Sequence, residues 1–334
     1  SMINIFYHPN YIKTKKVFLT KKFKYSVFNN LLIDFSYFLN IPIHNNLITS
    51  GPQKRFNNLI KTFKGDPDFI FNRIKSNNSY IAQFDIFGEK ILKKLLSNNQ
   101  QDKKILIGPL YNFEYLKKLV QIVNEYENIK ILTASKTAFN NLVNEMNFDI
   151  DENKISTFPS GVVSEKNLSN KKYRQSYRKN ECIVYFKKRE ESELNALLDY
   201  LKFKNLNFKV FKYGNYKNND LLKAARNAKF GIILGTTESQ GFAIQEIMSE
   251  NLPLVIFDKN FNTYEGFKIS GSTVPYWNEY CGIKVNDLDE FKKMYTNFME
   301  QFDEFNPVNL IRDELTYEVF SQNLKKEFGI STQK

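Results

Sequence analysis

The chain has 334 residues, 42% of them hydrophobic and 15% aromatic, which excludes a largely disordered polymer and leaves room for two lobes of about 150 residues each. Forty-eight Lys and Arg against 36 Asp and Glu give a net charge of +12, an excess that attracts polyanions such as nucleotides, nucleic acid or an anionic membrane surface without choosing among them. Two cysteines, Cys182 and Cys281, each at the start of an apolar stretch, and two histidines, His8 and His44, imply neither a disulfide framework nor a His/Cys zinc site.

In chain order, Ser1 ahead of Met2 reads as a residue left by an expression tag, and the apolar run that follows is too short for a signal sequence. No window approaches the roughly 18 uninterrupted apolar residues that a membrane-spanning helix needs. The expectation is a cytoplasmic protein, peripheral to a membrane at most. Ile3 to Tyr7 reads as a first strand, the Lys-rich stretch around Lys13 to Lys24 as a solvated face, and residues 23–39 as a helix. The strand Tyr80 to Phe84 runs through Asp85–Gly88 into a helical pattern from Glu89 to Leu96. A strand at Lys104 to Gly108, a helix at Glu114 to Tyr126, a strand at Ile129 to Thr133 and a helix at Ala138 to Met146 follow.

The stretch Ser164 to Asn180 is polar and basic, with Lys166, Lys171, Lys172, Arg174, Arg178 and Lys179 and no apolar periodicity, so it reads as a hinge. Alternation then restarts: strands at Cys182 to Phe186, Phe208 to Tyr213, Phe230 to Gly235 and Leu252 to Phe257, with helices at Glu191 to Phe203, Asp220 to Ala228 and Phe242 to Ser249 between them. Strands alternating with helices give parallel sheets covered on both faces. The expected organisation is an α/β protein with a Rossmann-like domain over 1–162, a basic linker over 163–180 and a second Rossmann-like domain over 181–310. The tail, 311–334, carries a helix that could pack back on the first domain.

The most informative segment is Gly235-Thr-Thr-Glu238-Ser-Gln-Gly241-Phe-Ala-Ile-Gln-Glu246, a strand end, a turn and a helix start. Backbone N–H groups of Gln240, Gly241, Phe242 and Ala243 would point at an anion or a hydroxyl-rich ligand, and Gly241 would let it approach. Glu238 and Glu246 are eight positions apart, one in the loop and one about a turn inside the helix, so both carboxylates can line one crevice. A carboxylate accepts two hydrogen bonds from a vicinal diol, as on a ribose. The plain alternative is a capping carboxylate and a solvated helix residue.

Glu238 through Glu246, followed by Ile-Met-Ser-Glu-Asn-Leu-Pro-Leu-Val, resembles the Glu-x7-Glu signature of retaining GT-B glycosyltransferases. The resemblance implies two Rossmann-like domains with parallel sheets facing across a cleft. It implies that Glu238 and the adjoining amides contact the donor sugar and that Glu246 holds the nucleotide ribose. Such enzymes use a nucleotide-diphosphate sugar as donor, a glycan or other hydroxyl compound as acceptor, and neither a metal nor another cofactor. After the strand Cys182 to Phe186 the family has Gly-Arg and a later Lys for the pyrophosphate, whereas this chain has Lys187-Lys188-Arg189. By alternation Lys187 and Arg189 would share one side and take that role if the chain stays extended. Phe158-Pro-Ser-Gly-Val162 resembles the family's Pro-x-Gly-Val segment, and Tyr213-Gly214 ends a strand where the base often lies. Asp85 stands at a strand-to-helix turn that could face the reacting carbon, although a helix cap is the plainer role.

Three Asp-x-Asp triplets, at Asp66/Asp68, Asp149/Asp151 and Asp287/Asp289, follow no clear strand and are not expected to hold a metal. Two other readings remain open. One is a glycosyltransferase acting on modified DNA bases, which the basic charge would suit; the other is a non-catalytic nucleotide- or polyanion-binding protein of the same fold.

Overall fold

A computed structural model of the chain describes residues 2–7, 51–71, 73–75, 77–98, 102–111, 113–146, 148–169, 181–264 and 266–330. The expected helix over 23–39, the Lys-rich stretch before it and the basic residues Lys171 to Lys179 lie outside the described residues. The chain divides into two compact units, the first comprising 1–133, 148–158 and 321–334 and the second 134–147 and 159–320.

The first unit is built on β1 (Ile3–Phe6), α1 (Gly51–Phe63), β2 (Phe69–Phe71), β3 (Asn78–Phe84), α2 (Ile86–Ser97), β4 (Ile105–Tyr111), α3 (Phe113–Glu125), β5 (Ile129–Thr133) and β6 (Ile155–Thr157). Its six strands are all parallel in the order β2-β1-β3-β4-β5-β6. Every residue of β1 is buried, as a strand covered by helices on both faces requires. The helices supply that cover through residues three and four apart: Phe56, Leu59, Ile60 and Phe63 on α1, and Leu116, Leu119, Val120 and Val123 on α3. Helix α2 begins where Asp85 takes hydrogen bonds from the N–H groups of Phe87 and Gly88. Arg55 on α1 is fully buried, its guanidinium donating to the Tyr80 hydroxyl and to the Gly108 carbonyl.

The second unit contains α4 (Lys136–Asn140), continued by a π-helical turn Asn141–Glu145, and α5 (Glu165–Ser169), a short helix inside the expected linker. The segment 134–147, read from sequence as part of the first domain, thus belongs with the second unit. Then come β7 (Glu181–Phe186), α6 (Glu191–Phe203), β8 (Asn207–Lys212), α7 (Asn218–Asn227), β9 (Phe230–Leu234), α8 (Phe242–Met248) and β10 (Leu254–Phe257). A hairpin of β11 (Phe261–Tyr264) and β12 (Phe267–Ser270) precedes β13 (Gly282–Val285), α9 (Leu288–Glu300), α10 (Pro307–Glu314) and α11 (Tyr317–Glu327). Five strands form one parallel sheet in the order β13-β10-β9-β7-β8.

Period-two alternation divides β7 between two cores. Ile183 and Tyr185 pack with Leu221, Ile244, Ile247 and Met248 on the α7/α8 face, while Cys182, Val184 and Phe186 pack with Leu194, Leu197, Phe291 and Phe298 on the α6/α9 face. The tail, Ser321 onward, counts with the first unit. There Lys325 of α11 lies 2.9 Å from Asp66 and 2.8 Å from Asp68, so this Asp-x-Asp pair balances a lysine. The other triplets serve locally: Asp151 and Asp287 cap helical turns, and Asp289 pairs with Lys292. No described helix is long and apolar enough to cross a membrane.

Candidate functional site

From β7 the chain steps to β8 on one side and to β9 on the other, so the order of the second sheet reverses between β7 and β9. At such a point the loops leaving the carboxyl ends of neighbouring strands diverge and leave a crevice, where ligands of parallel sheets bind. The residue leaving β7 is Lys187, and the loop leaving β9 carries Glu238. Lys187 Nζ is 2.5 Å from Glu238 Oε1, and the two side chains are only 15% and 17% exposed. The same ammonium lies 4.7 Å from the ring centroid of Tyr213, the first residue after β8. A cation, a carboxylate and a half-exposed aromatic face therefore meet at the switch point.

Glu246, on α8, accepts a hydrogen bond from Asn218 Nδ2 at 3.2 Å. Both glutamates act on one phenol. Burial, together with the negative charges of Glu246 and Glu238, pushes Tyr216 up to about 12 against the lowering effect of its hydrogen bond with Tyr185. Burial raises Tyr317 as well, and Glu246 adds to it. The charges of Glu238 and Glu246 thus both reach Tyr216, with Lys187 and Tyr213 beside the first and Asn218 beside the second.

The turn between the glutamates is held from behind. Gln240 is buried; its side chain accepts from Ser160 N at 3.0 Å and donates to Ser160 O at 2.7 Å and to Gln245 Oε1 at 3.0 Å. Ser160, within the Phe158–Val162 stretch singled out in the sequence, is thereby tied to the start of α8, and the Gln240 side chain is a brace. Gly241 caps α8 with φ +86°, in the left-handed region. A Cβ there would meet Glu238 at an ordinary 3.7 Å, so the glycine answers a backbone requirement and not crowding. Among the described residues, the N–H groups of Phe242 and Ala243 meet no acceptor, as expected for the first turn of a helix. Gly214 also has a positive φ, +83°, in the turn after Tyr213.

Arg189 takes a different position from the one that alternation implies. Lys188 has φ +51°, which turns the chain straight after Lys187, so the extension needed to put Lys187 and Arg189 on one side is absent. Arg189 Nε lies 2.5 Å from Glu193, and one terminal nitrogen donates to the carbonyls of Gly235 and Phe257 at 3.2 and 3.3 Å. The side chain is 6% exposed, and it clasps the ends of β9 and β10. In the first unit, Asp85 is likewise engaged: Oδ1 caps α2 and Oδ2 accepts from Gln83 at 2.7 Å.

Sequence reasoning missed the support beneath Glu238. Its N–H donates to Ser272 O at 3.0 Å. Asp258, at the end of β10, accepts from Thr273 N at 2.7 Å and from Ser272 Oγ at 3.0 Å, and pairs with Lys284 at 3.0 Å. A Cβ on Gly271 would come within 2.7 Å of Thr237, so the loop after the hairpin lies directly on the Glu238 loop. A lone Asp at a strand end was the available signal. Tyr216 and Asn218 had none, because their approach to the glutamates depends on how α7 packs beside α8. Among the described residues, no cluster of three or more His, Cys, Asp or Glu side chains could hold a metal ion.

Two Rossmann-like units, each built on a parallel sheet, are the architecture of the GT-B fold class, to which the structural likeness below points. No family model matches the chain, and no curated protein matches it. Among solved structures, that of the GtfA/B complex aligns with a TM-score of 0.50 at 13% identity, covering 77% of this chain and 57% of the other. The pneumococcal O-GlcNAc transferase GtfA in complex with UDP and GlcNAc gives 0.46 at 12% identity, covering 81% and 59%. WaaG, a glycosyltransferase involved in lipopolysaccharide biosynthesis, gives 0.43 at 9% identity, covering 85% and 97%. The chain therefore spans a little under three fifths of the first two, and the likeness is one of fold.

Proposed function

We propose that the chain is a glycosyltransferase that takes a sugar from a nucleotide-diphosphate donor and places it on a hydroxyl acceptor with retention, without a metal. The observation that carries this reading is the meeting of Lys187, Glu238 and Tyr213 at the switch point of the second sheet, with the charges of Glu246 and Glu238 both reaching Tyr216. Fold class and the Glu-x7-Glu spacing support it.

In this reading Lys187 holds the diphosphate, Glu246 takes the ribose hydroxyls, and Tyr213 and Gly214 lie under the base. Glu238 and the amides of Gln240 to Ala243 face the donor sugar. As the bond from the anomeric carbon to the phosphate oxygen breaks, the electron pair stays on the phosphate, where Lys187 and the free N–H groups of Phe242 and Ala243 offset the growing charge. The acceptor oxygen bonds to that carbon, and its proton passes to the departing phosphate oxygen. Arg189 contributes by fixing the strand ends that carry the Glu238 loop. Asp85 caps α2 through Oδ1 and accepts from Gln83 through Oδ2, which favours a positioning role for it.

Mass spectrometry of products from a panel of nucleotide sugars, with and without a glycan extract, tests the proposal. A mass increment of one sugar on an acceptor, without added metal, is the expected result. No transfer and no donor hydrolysis across the panel would leave a binding protein of the same fold.

A further inference from the structure

We propose that Glu238 is an internal competitor for the anion that Lys187 binds, and that it thereby makes the site prefer a sugar nucleotide to the nucleoside diphosphate left after transfer. This rests on the donor site proposed above. Among the described residues, the Lys187 ammonium has one carboxylate in contact, Glu238 at 2.5 Å, and both side chains are largely shielded from water. Among the described residues, Arg189 is committed to Glu193 and two carbonyls, and Lys284 to Asp258. A diphosphate entering at the switch point must therefore take Lys187 from Glu238 or share it. Shielding makes the repulsion between the carboxylate and the phosphates stronger than it would be in water.

The Glu238 backbone cannot retreat easily. Its N–H is bonded to Ser272, its Cβ and Cγ lie beside Gly241, and Gly271 packs close enough to Thr237 before it that a side chain there would collide. What differs between the two ligands is the sugar. A donor brings hydroxyl groups that can donate to the displaced carboxylate and replace the lost ammonium. The free nucleoside diphosphate brings no such donor and carries more negative charge on its terminal phosphate. With the donor, Glu238 exchanges one partner for another; with the product, it faces phosphate with none. Once the sugar has gone to the acceptor, Glu238 recaptures Lys187 and favours release of the nucleoside diphosphate.

Titration calorimetry on the full chain tests this with inorganic pyrophosphate, a panel of UDP, GDP and ADP, and the matching sugar nucleotides. Glu238→Gln removes the competing charge at almost unchanged shape. Pyrophosphate is expected to bind Glu238→Gln about tenfold more tightly than the wild type, in line with the loss of one close charge pair. The gain should vanish in the double variant Glu238→Gln, Lys187→Met. Pyrophosphate affinity that is unchanged, weaker or absent in Glu238→Gln overturns the proposal. A second measurement needs no variant: the wild type should bind a sugar nucleotide more tightly than the matching nucleoside diphosphate, and the reverse order overturns the proposal too. Failure of the donor reading looks different, because pyrophosphate would then tighten on Glu238→Gln while neither a sugar nucleotide nor a nucleoside diphosphate bound.

Discussion

Gly241 and Cys281 show how single positions in the second unit are chosen by backbone and burial. Gly241 has a left-handed φ of +86° with ordinary space around its absent Cβ. Gly241→Ala should therefore cost about 1–2 kcal/mol through conformation alone, and Gly241→Asn less, because Asn tolerates that region; thermal unfolding of the two variants measures the difference. Equal losses would mean that space and not φ decides. Cys281 is fully buried, and burial pushes its thiol up to about 11 from an ordinary value of 9.0. The unfolded chain ionises this thiol first. Stability from the neutral thiol is thus complete below about pH 9 and is lost as pH rises towards 11. The fall in melting temperature across that window should be shallower in Cys281→Ala than in the wild type.

The strand ends and loops of the second sheet explain why the site holds its shape. Arg189 joins α6 to the ends of β9 and β10 through Glu193, Gly235 and Phe257. Arg189→Met would strand a carboxylate and two carbonyl contacts at once. We expect a loss of about 2–3 kcal/mol in denaturant unfolding, since buried hydrogen bonds to a charged group are worth more than neutral ones. A loss near zero would show that the guanidinium is dispensable to the scaffold and available to a ligand. The elements that were legible in the sequence are those with one clear physical signal. Cys182 to Phe186 and Phe230 to Leu234 are unbroken apolar runs because both faces of those strands are covered, and Glu191 to Phe203 is a regular amphipathic helix. Helix α1 escaped notice because Arg55, Asn57 and Asn58 are buried among its apolar residues and blur the pattern. The hairpin β11–β12 has exposed Phe261 and Phe267 and no buried face, so no alternation marks it.

For the molecule as a whole, the α/β class and the division into two parallel sheets were readable because strands and helices alternate along most of the chain. The limits of the units were not. The chain passes between them after Thr133, Asn147, Phe158 and Phe320, and such returns depend on tertiary packing that composition does not record. The Glu-x7-Glu spacing was likewise visible locally, whereas the Lys187–Glu238 pair joins residues 51 apart that only the order of parallel strands makes neighbours. The central claim is that the switch point of the second sheet grips a sugar nucleotide through these groups. Calorimetric titration of the wild type and Glu246→Ala with a panel of sugar nucleotides tests it most directly. The account predicts that at least one binds the wild type and that Glu246→Ala weakens it by roughly tenfold or more, as loss of charged hydrogen bonds to a diol requires. Equal affinity in the two proteins would contradict it.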